Sequence, residues 1–277
     1  MGRHLADMNW VDAETFLKDI KLALVPTGSI EQHGPHLPLG TDMRIAEHLA
    51  KLSALELNCV VTPVVPVGHA EYHSDFSGTL FVSQLVLKEY MKSICLSLAK
   101  YGITHILFIN GHGGNLASLM DVSAEIRREE GVIAGAIQWW DLVGKIDSGV
   151  ALFKHLGHGD IVETAMMLAI DSNIVNIDRA NIPVTKQLTE KAFPCDRKVV
   201  RFEEGFFYMN LRTSDLTETG DFLELRNPLS QYQIIPPQDA TVEDGEKFIN
   251  AVVDYIRRVA NEFTKIRLAP IKEYQFL

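Results

Sequence analysis

The sequence predicts an α/β fold in which strands and helices alternate around a mostly parallel sheet. Three observations carry this prediction. Aliphatic runs at residues 22–26, 59–67, 103–109 and 132–138 have the length and composition of strands. Stretches with helical spacing of their apolar residues stand between and after them. Polar loops rich in His, Glu, Asp and Gly leave the carboxyl ends of these strands, where open α/β sheets hold ligands.

Taken in order, residues 11–20 mix polar and apolar positions as a short helix does, and 22–26 form the first buried strand. Residues 46–57 are helix-like, and 59–67 are a second strand whose later half Pro63 and Pro66 put on an edge or outside the ladder. Ser83 caps a long helix with Leu87, Met91, Ile94, Leu98 and Tyr101 in steps of four and three, and Gly102 ends it. The third strand, 103–109, leads to Asn115, which is placed to cap a helix running to about Glu130 before Gly131. After the strand at 132–138, Asp160 caps a further helix. Residues 172–240 carry Val199, Val200, Phe202, Phe206, Phe207 and Tyr208 among charges, a pattern that suits a hairpin or an arm over a neighbouring subunit. From Thr241 a final amphipathic helix aligns Phe248, Val252, Tyr255, Ile256, Val259 and Phe263 on one face. No repeat, low-complexity tract or linker interrupts the chain, so residues 1–277 read as a single domain.

Composition narrows the function. With 47% hydrophobic and 22% charged residues the chain can fill a large core, and its net charge of −10 provides no basic field for nucleic acid. Cys59, Cys95 and Cys195 are scattered, which suits neither a disulfide framework nor a cysteine zinc site and fits a reducing compartment. No apolar run reaches signal-peptide or membrane-span length, so a cytoplasmic protein with no membrane partner is expected.

The chemistry gathers in four stretches. In Glu31-Gln32-His33-Gly34-Pro35-His36, an extended chain points Glu31 and His33 to the same side. Gly34-Pro35 and Gly40 can then fold the loop back to bring Asp42 to that place. Such a set suits Zn²⁺, Mn²⁺ or Fe²⁺. His73, in the loop 68–79, is placed to touch substrate or metal, or to satisfy backbone carbonyls. Asn110-Gly111-His112-Gly113-Gly114-Asn115 puts His112 at a strand-to-helix junction where the backbone can approach a ligand or cradle a phosphate, although neither phosphate-binding glycine motif occurs. Gly157-His158 lies ahead of Asp160-x-x-Glu163, in which Glu163 is a functional carboxylate or one half of a capping box. Trp139-Trp140 either walls a pocket or divides between core and interface.

Together the Glu31-x-His33-Gly34-Pro35-His36 block with Asp42, Gly78-Thr79 after His73, the 110–115 block and Gly157-His158 with Glu163-Thr164 resemble the creatininase (creatinine amidohydrolase) family. The resemblance implies a three-layer αβα sandwich, a centre of two divalent metal ions (Zn, Mn or Fe) and a homo-oligomer, commonly a hexamer. It makes Glu31, Asp42 and His112 ligands of one metal, with Asp42 bridging to a second held by His33. Creatininase itself has a glutamate two residues after the third-strand histidine, where this chain has Gly114; Glu163 is the nearest replacement. His158 matches the family's acid/base histidine, and Glu163 is then a ligand or its partner in proton transfer. His36, His73, Trp139 and Trp140 are the candidate substrate contacts.

The implied reaction is hydrolysis of a small molecule by a metal-bound hydroxide. The family's substrates include a cyclic amide, formamides, a peptide precursor and a cyclic polyhydroxy diketone. A cyclic amide or formamide is the first expectation. Carbon–carbon cleavage of an inosose-type diketone is the alternative, with Asp221, Arg226 and Gln231 as polar contacts. A third reading, a non-catalytic metal-binding scaffold, keeps the fold without the chemistry.

Overall fold

In the computed structural model, which describes residues 3–142, 157–182, 184–223 and 235–269, the aliphatic runs form one parallel sheet. Its strands are β1 (Arg3–His4), β2 (Leu22–Thr27), β3 (Cys59–Val61), β4 (His105–Asn110) and β5 (Ile133–Gln138), in the order β1-β3-β2-β4-β5. The central pair, β2 and β4, is buried at every residue, which explains why both are continuously apolar rather than alternating.

Alternate side chains feed two cores. Leu22 and Leu24 face a cluster closed by α2 (Thr41–Ala54), α5 (Ile161–Asp171) and α7 (Val242–Phe263). Ala23 and Val25 face a second cluster closed by α1 (Trp10–Leu17), α3 (Gln84–Lys100) and α4 (Leu116–Glu130). The result is a three-layer αβα sandwich. Helix α7 docks through Phe248, Val252, Ile256, Ala260 and Phe263, all buried, as its periodicity predicts. Gly245 lets it touch α5, because a Cβ there would run into the Ala165 carbonyl.

Several expectations need correction. Helix α2 begins at Thr41, so Asp42 lies in its first turn rather than in the preceding loop. The second strand is shorter than 59–67, stopping at Val61, while the later half lies outside the ladder as Pro63 and Pro66 predict, with only an isolated bridge from Val65 to Thr27. Asn115 has no side-chain capping bond; its amide spans instead to the Gly28 carbonyl and Asn110 Oδ1. The two-residue β1 carries no apolar pattern that the sequence could have announced.

Residues 192–208 fold as the expected hairpin with one more strand. β6 is Gly157–His158, and β7 (Ala192–Pro194), β8 (Val199–Phe202) and β9 (Gly205–Tyr208) make an antiparallel sheet. After α6 (Thr213–Leu216), β10 (Phe222–Leu223) pairs with β6. Arg226 and Gln231 lie outside the described residues. All three cysteines are buried and free, and no helix among the described residues is long and apolar enough to cross a membrane.

Candidate metal centre

Strand register brings the motifs together. β2 and β4 pair residue for residue up to Thr27 opposite Asn110, so the loops that follow them leave side by side. The Thr27 hydroxyl donates to Asn110 Oδ1 (3.1 Å), which ties the two exits. In the first loop the Glu31 N–H donates to the Leu39 carbonyl (2.9 Å), closing the turn so that α2 starts beside the residue that opened it. Asp42 then faces Glu31, and a carboxylate in the first turn of a helix is favoured by the helix dipole. In the second loop Asn110 braces His112 from both sides, donating to its carbonyl (2.8 Å) and accepting from its N–H (3.2 Å).

Three carboxylates and four imidazoles meet at these ends, His73 standing with Glu31 and His158. The ligand atoms of Glu31, Asp42 and His112 lie within 4.8 Å of one another, as do those of His33, His158 and Glu163. Asp42 spans both groups: Oδ2 is 3.2 Å from His112 Nδ1, and Oδ1 is 2.9 Å from His33 Nε2. Glu31 Oε2 is 3.0 Å from the same His112 Nδ1, yet neither it nor Asp42 Oδ2 receives a hydrogen bond. Glu163 Oε2 stands 3.8 Å from His33 Nε2 while accepting the Gly159 N–H (2.7 Å). Helix capping itself falls to Asp160, whose side chain accepts from Val162 and Glu163.

The far nitrogens explain the orientation of the rings. His33 Nδ1 lies 3.1 Å from the Glu31 carbonyl, His112 Nε2 3.0 Å from the His69 carbonyl and His158 Nε2 2.5 Å from the Gln32 carbonyl. A carbonyl oxygen only accepts, so each of these nitrogens carries the hydrogen. The opposite nitrogen of each ring is left facing the carboxylates, which is how metal-binding histidines are held. His158 is further fixed by its neighbours, at ring-centroid distances of 4.2 Å from His33 and 4.5 Å from His73.

The electrostatics call for positive charge. Burial opposes charging His33, but Asp42 and Glu163 outweigh it and push the imidazole up to about 10. His112 is likewise pushed up to about 10, burial being overcome by Glu31 and Asp42. Glu31 stays well below the usual carboxylate range because His112 and His73 outweigh its burial. Burial pushes Glu163 up to about 7, with the carboxylate of Asp42 adding to it against the opposing effect of His33. Burial, reinforced by His33 and His73, holds His158 well below the ordinary imidazole value. Glu31 Oε2 and Asp42 Oδ2, buried and without hydrogen bonds, with imidazole nitrogens turned toward them, form a donor set that fits a divalent cation, which would take the place of the imidazole protons.

Not every expected contact reaches the cavity. This small space, about 90 Å³, is lined by Glu31, Asp42, His73, His112, His158 and Glu163, with Tyr72, Trp140, Arg197 and Phe222 around them. Trp140 is there; Trp139 is not, being buried in the core edge-on to Phe248. His36 is also withdrawn: it is buried, 2.8 Å from the Thr164 hydroxyl, and burial followed by the charge of His33 pushes it down to about 4. Asp221 is fully buried behind the site beside Thr219. His73 joins Glu31 through Nε2 (3.2 Å), and burial lowers it more than Glu31 raises it, with Arg197 adding to the depression.

Comparison with known proteins decides the family. A sequence model of the family described as "Creatininase: Creatinine amidohydrolase" matches residues 6–260. The chain belongs to the creatininase family. It is similar to the mycofactocin precursor peptide peptidase of Mycolicibacterium smegmatis, 35% identical over 181 residues, which cover 62% of this chain and 66% of that protein. It is also similar to the 3-dehydro-scyllo-inosose hydrolase of Thermotoga maritima, 27% identical over 61% of this chain and 56% of that one. The chain thus spans somewhat less than two thirds of these relatives. A solved creatininase, "Creatininase Mn", superposes with a TM-score of 0.73 at 22% identity, covering 94% of this chain and 98% of its own. That likeness shows the fold.

Within the creatininase frame, Gly114 is the departure, and the structure gives its cause. A Cβ at Gly114 would strike the His69 carbonyl and stand 2.5 Å from His112 Nε2 and 2.6 Å from Tyr72 Oη. There is no room for a glutamate, whereas Glu163 already faces His33 from the other side. Gln32, which packs behind the cavity, and Tyr72 and Arg197, which line it, were missed from the sequence. Gln32 is buried, with its amide nitrogen 2.9 Å from both His73 Nδ1 and the Gly220 carbonyl, and its place between Glu31 and His33 was the available signal. Tyr72, whose hydroxyl is 2.8 Å from His112 Nε2, stands next to His73. Arg197 arrives from the distant hairpin and gave no signal.

Proposed function

We propose that this chain is a binuclear metal-dependent hydrolase acting on a small cyclic amide or formamide. The observation that carries the reading is Asp42, with one oxygen toward His112 in the group it forms with Glu31 and the other toward His33, whose Nε2 in turn lies 3.8 Å from Glu163. In this reading Glu31, Asp42 and His112 hold one divalent ion (Zn, Mn or Fe), and Asp42, His33 and Glu163 hold the second. Bound cations of this kind lower the pKa of water and polarise a carbonyl.

The chain's own residues then divide the remaining work. His158, neutral and with Nδ1 turned inward, exchanges a proton with the leaving group. Gln32 and Thr213, the latter 2.7 Å from His73 Nδ1, hold His73 against Glu31. Trp140 and Phe222 form apolar walls around a space that admits the reacting carbonyl and few further atoms. The expected homo-oligomer belongs to the same proposal and is tested by light scattering after size exclusion.

Elemental analysis of protein purified without chelator tests the centre. The expected result is about two equivalents of metal, falling to about one in Glu163→Gln. No uptake after metal is added back overturns the reading. His158→Ala should keep its metal while hydrolysis of the best formamide or cyclic amide in a panel drops by about 10²-fold; undiminished turnover removes that role from His158.

A further inference from the structure

Arg197 lies where no catalytic step uses it. It occupies the turn between β7 and β8, where the Asp196 carboxylate accepts the N–H groups of Lys198 (2.6 Å) and Val199 (2.8 Å), and its own carbonyl takes the Leu211 N–H (2.9 Å). The turn extends the guanidinium over Tyr72, with Cζ 3.1 Å from the ring centroid. Tyr72 in turn reaches His112. Arg197 therefore stands at the rim of the metal centre, and it is the one lysine or arginine among the described residues lining that cavity.

It also lines a second, adjoining cleft of about 350 Å³. The two spaces share Tyr72 and Arg197, so a molecule whose carbonyl enters the first extends over this guanidinium into the second. Two other cations line the second cleft: Arg212, which is paired with both oxygens of Asp75 at 2.6 Å, and the exposed Lys198, which does not reach the first cavity and so leaves Arg197 as the cation common to both spaces. Among the described residues no carboxylate pairs with Arg197. The carboxylates of the first cavity, Glu31, Asp42 and Glu163, would be taken up by the two ions of the proposed centre, and Glu71, which lines the second cleft, makes no ion pair with the guanidinium.

We propose that Arg197 binds an anionic group of the substrate, a carboxylate or a phosphate, a few bonds from the carbonyl that is hydrolysed. The inference rests on the hydrolase reading above and adds the substrate's charge. A planar guanidinium set over an aromatic ring offers its edge N–H groups to such a group as a fork, which a lysine in its place presents only as a point charge.

The test uses zinc-loaded protein and two probe pairs: N-formylglycine with N-formylglycinamide, and N-formyl-O-phosphoethanolamine with N-formylethanolamine. Titration calorimetry should find at least one anion bound about 10-fold more tightly than its neutral partner, and the pair that shows it identifies the anion. In Arg197→Gln the preference should fall to about onefold with the neutral probes unchanged; Arg197→Lys should retain part of it. Metal content and melting temperature, measured on each variant, would move if Arg197 served only to brace Tyr72. Equal binding of anion and neutral probe by the wild type, no binding of either anion included, overturns the proposal, as does a preference that survives in Arg197→Gln. Failure of the hydrolase reading shows separately, as zinc that does not bind or as four formamides left intact while the charge preference persists.

Discussion

Gly114→Ala tests whether close packing fixes the glycine beside the metal centre. Gly114 is not among the glycines with positive φ, so its backbone tolerates any residue and the constraint is space alone. The new methyl would stand 2.5 Å from His112 Nε2 and 2.6 Å from Tyr72 Oη, so both must retreat by about 0.9 Å to reach ordinary contact. The third obstacle, the His69 carbonyl, is backbone and cannot rotate away. Nor can His112 retreat freely, because Nδ1 is already 3.0 Å from Glu31. Overpacking of this kind costs about 1–3 kcal/mol, which for a chain of this size lowers Tm by roughly 2–4 °C per kcal/mol. Moving the groups that orient a ligand costs a further 10- to 100-fold in metal affinity as an order of magnitude. Calorimetric melts of the metal-free protein and zinc titration of the same samples read the two effects separately. A variant with wild-type Tm and wild-type affinity would refute the steric account and reopen the position to a glutamate.

Gln32→Leu keeps the volume but leaves the Gly220 carbonyl and the Gly34 N–H without their side-chain partner, a loss of about 1–3 kcal/mol for each buried group in urea unfolding. Metal content should survive while turnover falls, since His73 loses the amide that braces its Nδ1. For His36, the folded protein holds the imidazole at about 4 against an ordinary 6.5. The unfolded chain therefore takes up a proton first, and stability present above pH 6.5 is lost as pH falls toward 4. By pH 5 this loss is about 2 kcal/mol, so wild type should lose that much more than His36→Gln between pH 7.5 and 5 in urea titrations; parallel losses would show that His36 is not the group responsible.

The sheet was legible because its strands obey simple rules. β2 and β4, covered by helices on both faces, must be continuously apolar, and α7 must be amphipathic because only one of its faces meets the sandwich. What escaped was set by tertiary contact. Asn115 sits where a cap belongs by sequence, yet its amide is drawn to Gly28 and Asn110 across the sheet ends, and a local rule cannot anticipate a partner 87 positions away. β1 exists only because β3 offers it an open edge. Helix α2 starts early for a related reason: the sequence pattern places Asp42 in a loop, but the Glu31–Leu39 bond closes that loop and lets the helix begin at once.

The candidate centre divides along the same line. Residues whose position follows from a strand end, Glu31, His33 and His112, were legible because parallel register places successive strand ends together. Trp139 and Trp140 were not separable, since adjacent residues share every local signal; only the packing of Phe248 against one of them assigns it to the core. Glu163 shows the ambiguity in its sharpest form. Its spacing from Asp160 is that of a capping box, and its carboxylate does accept a backbone N–H, from Gly159 ahead of the cap. The same oxygen faces His33, and burial has raised its pKa to about 7. A carboxylate kept only for capping gains nothing from this position beside two other acids, where burial disfavours its charge. It is stabilised there once a cation arrives, which is why the loss of one metal equivalent in Glu163→Gln, with the helix left intact by Asp160, separates the two roles that spacing alone leaves superimposed.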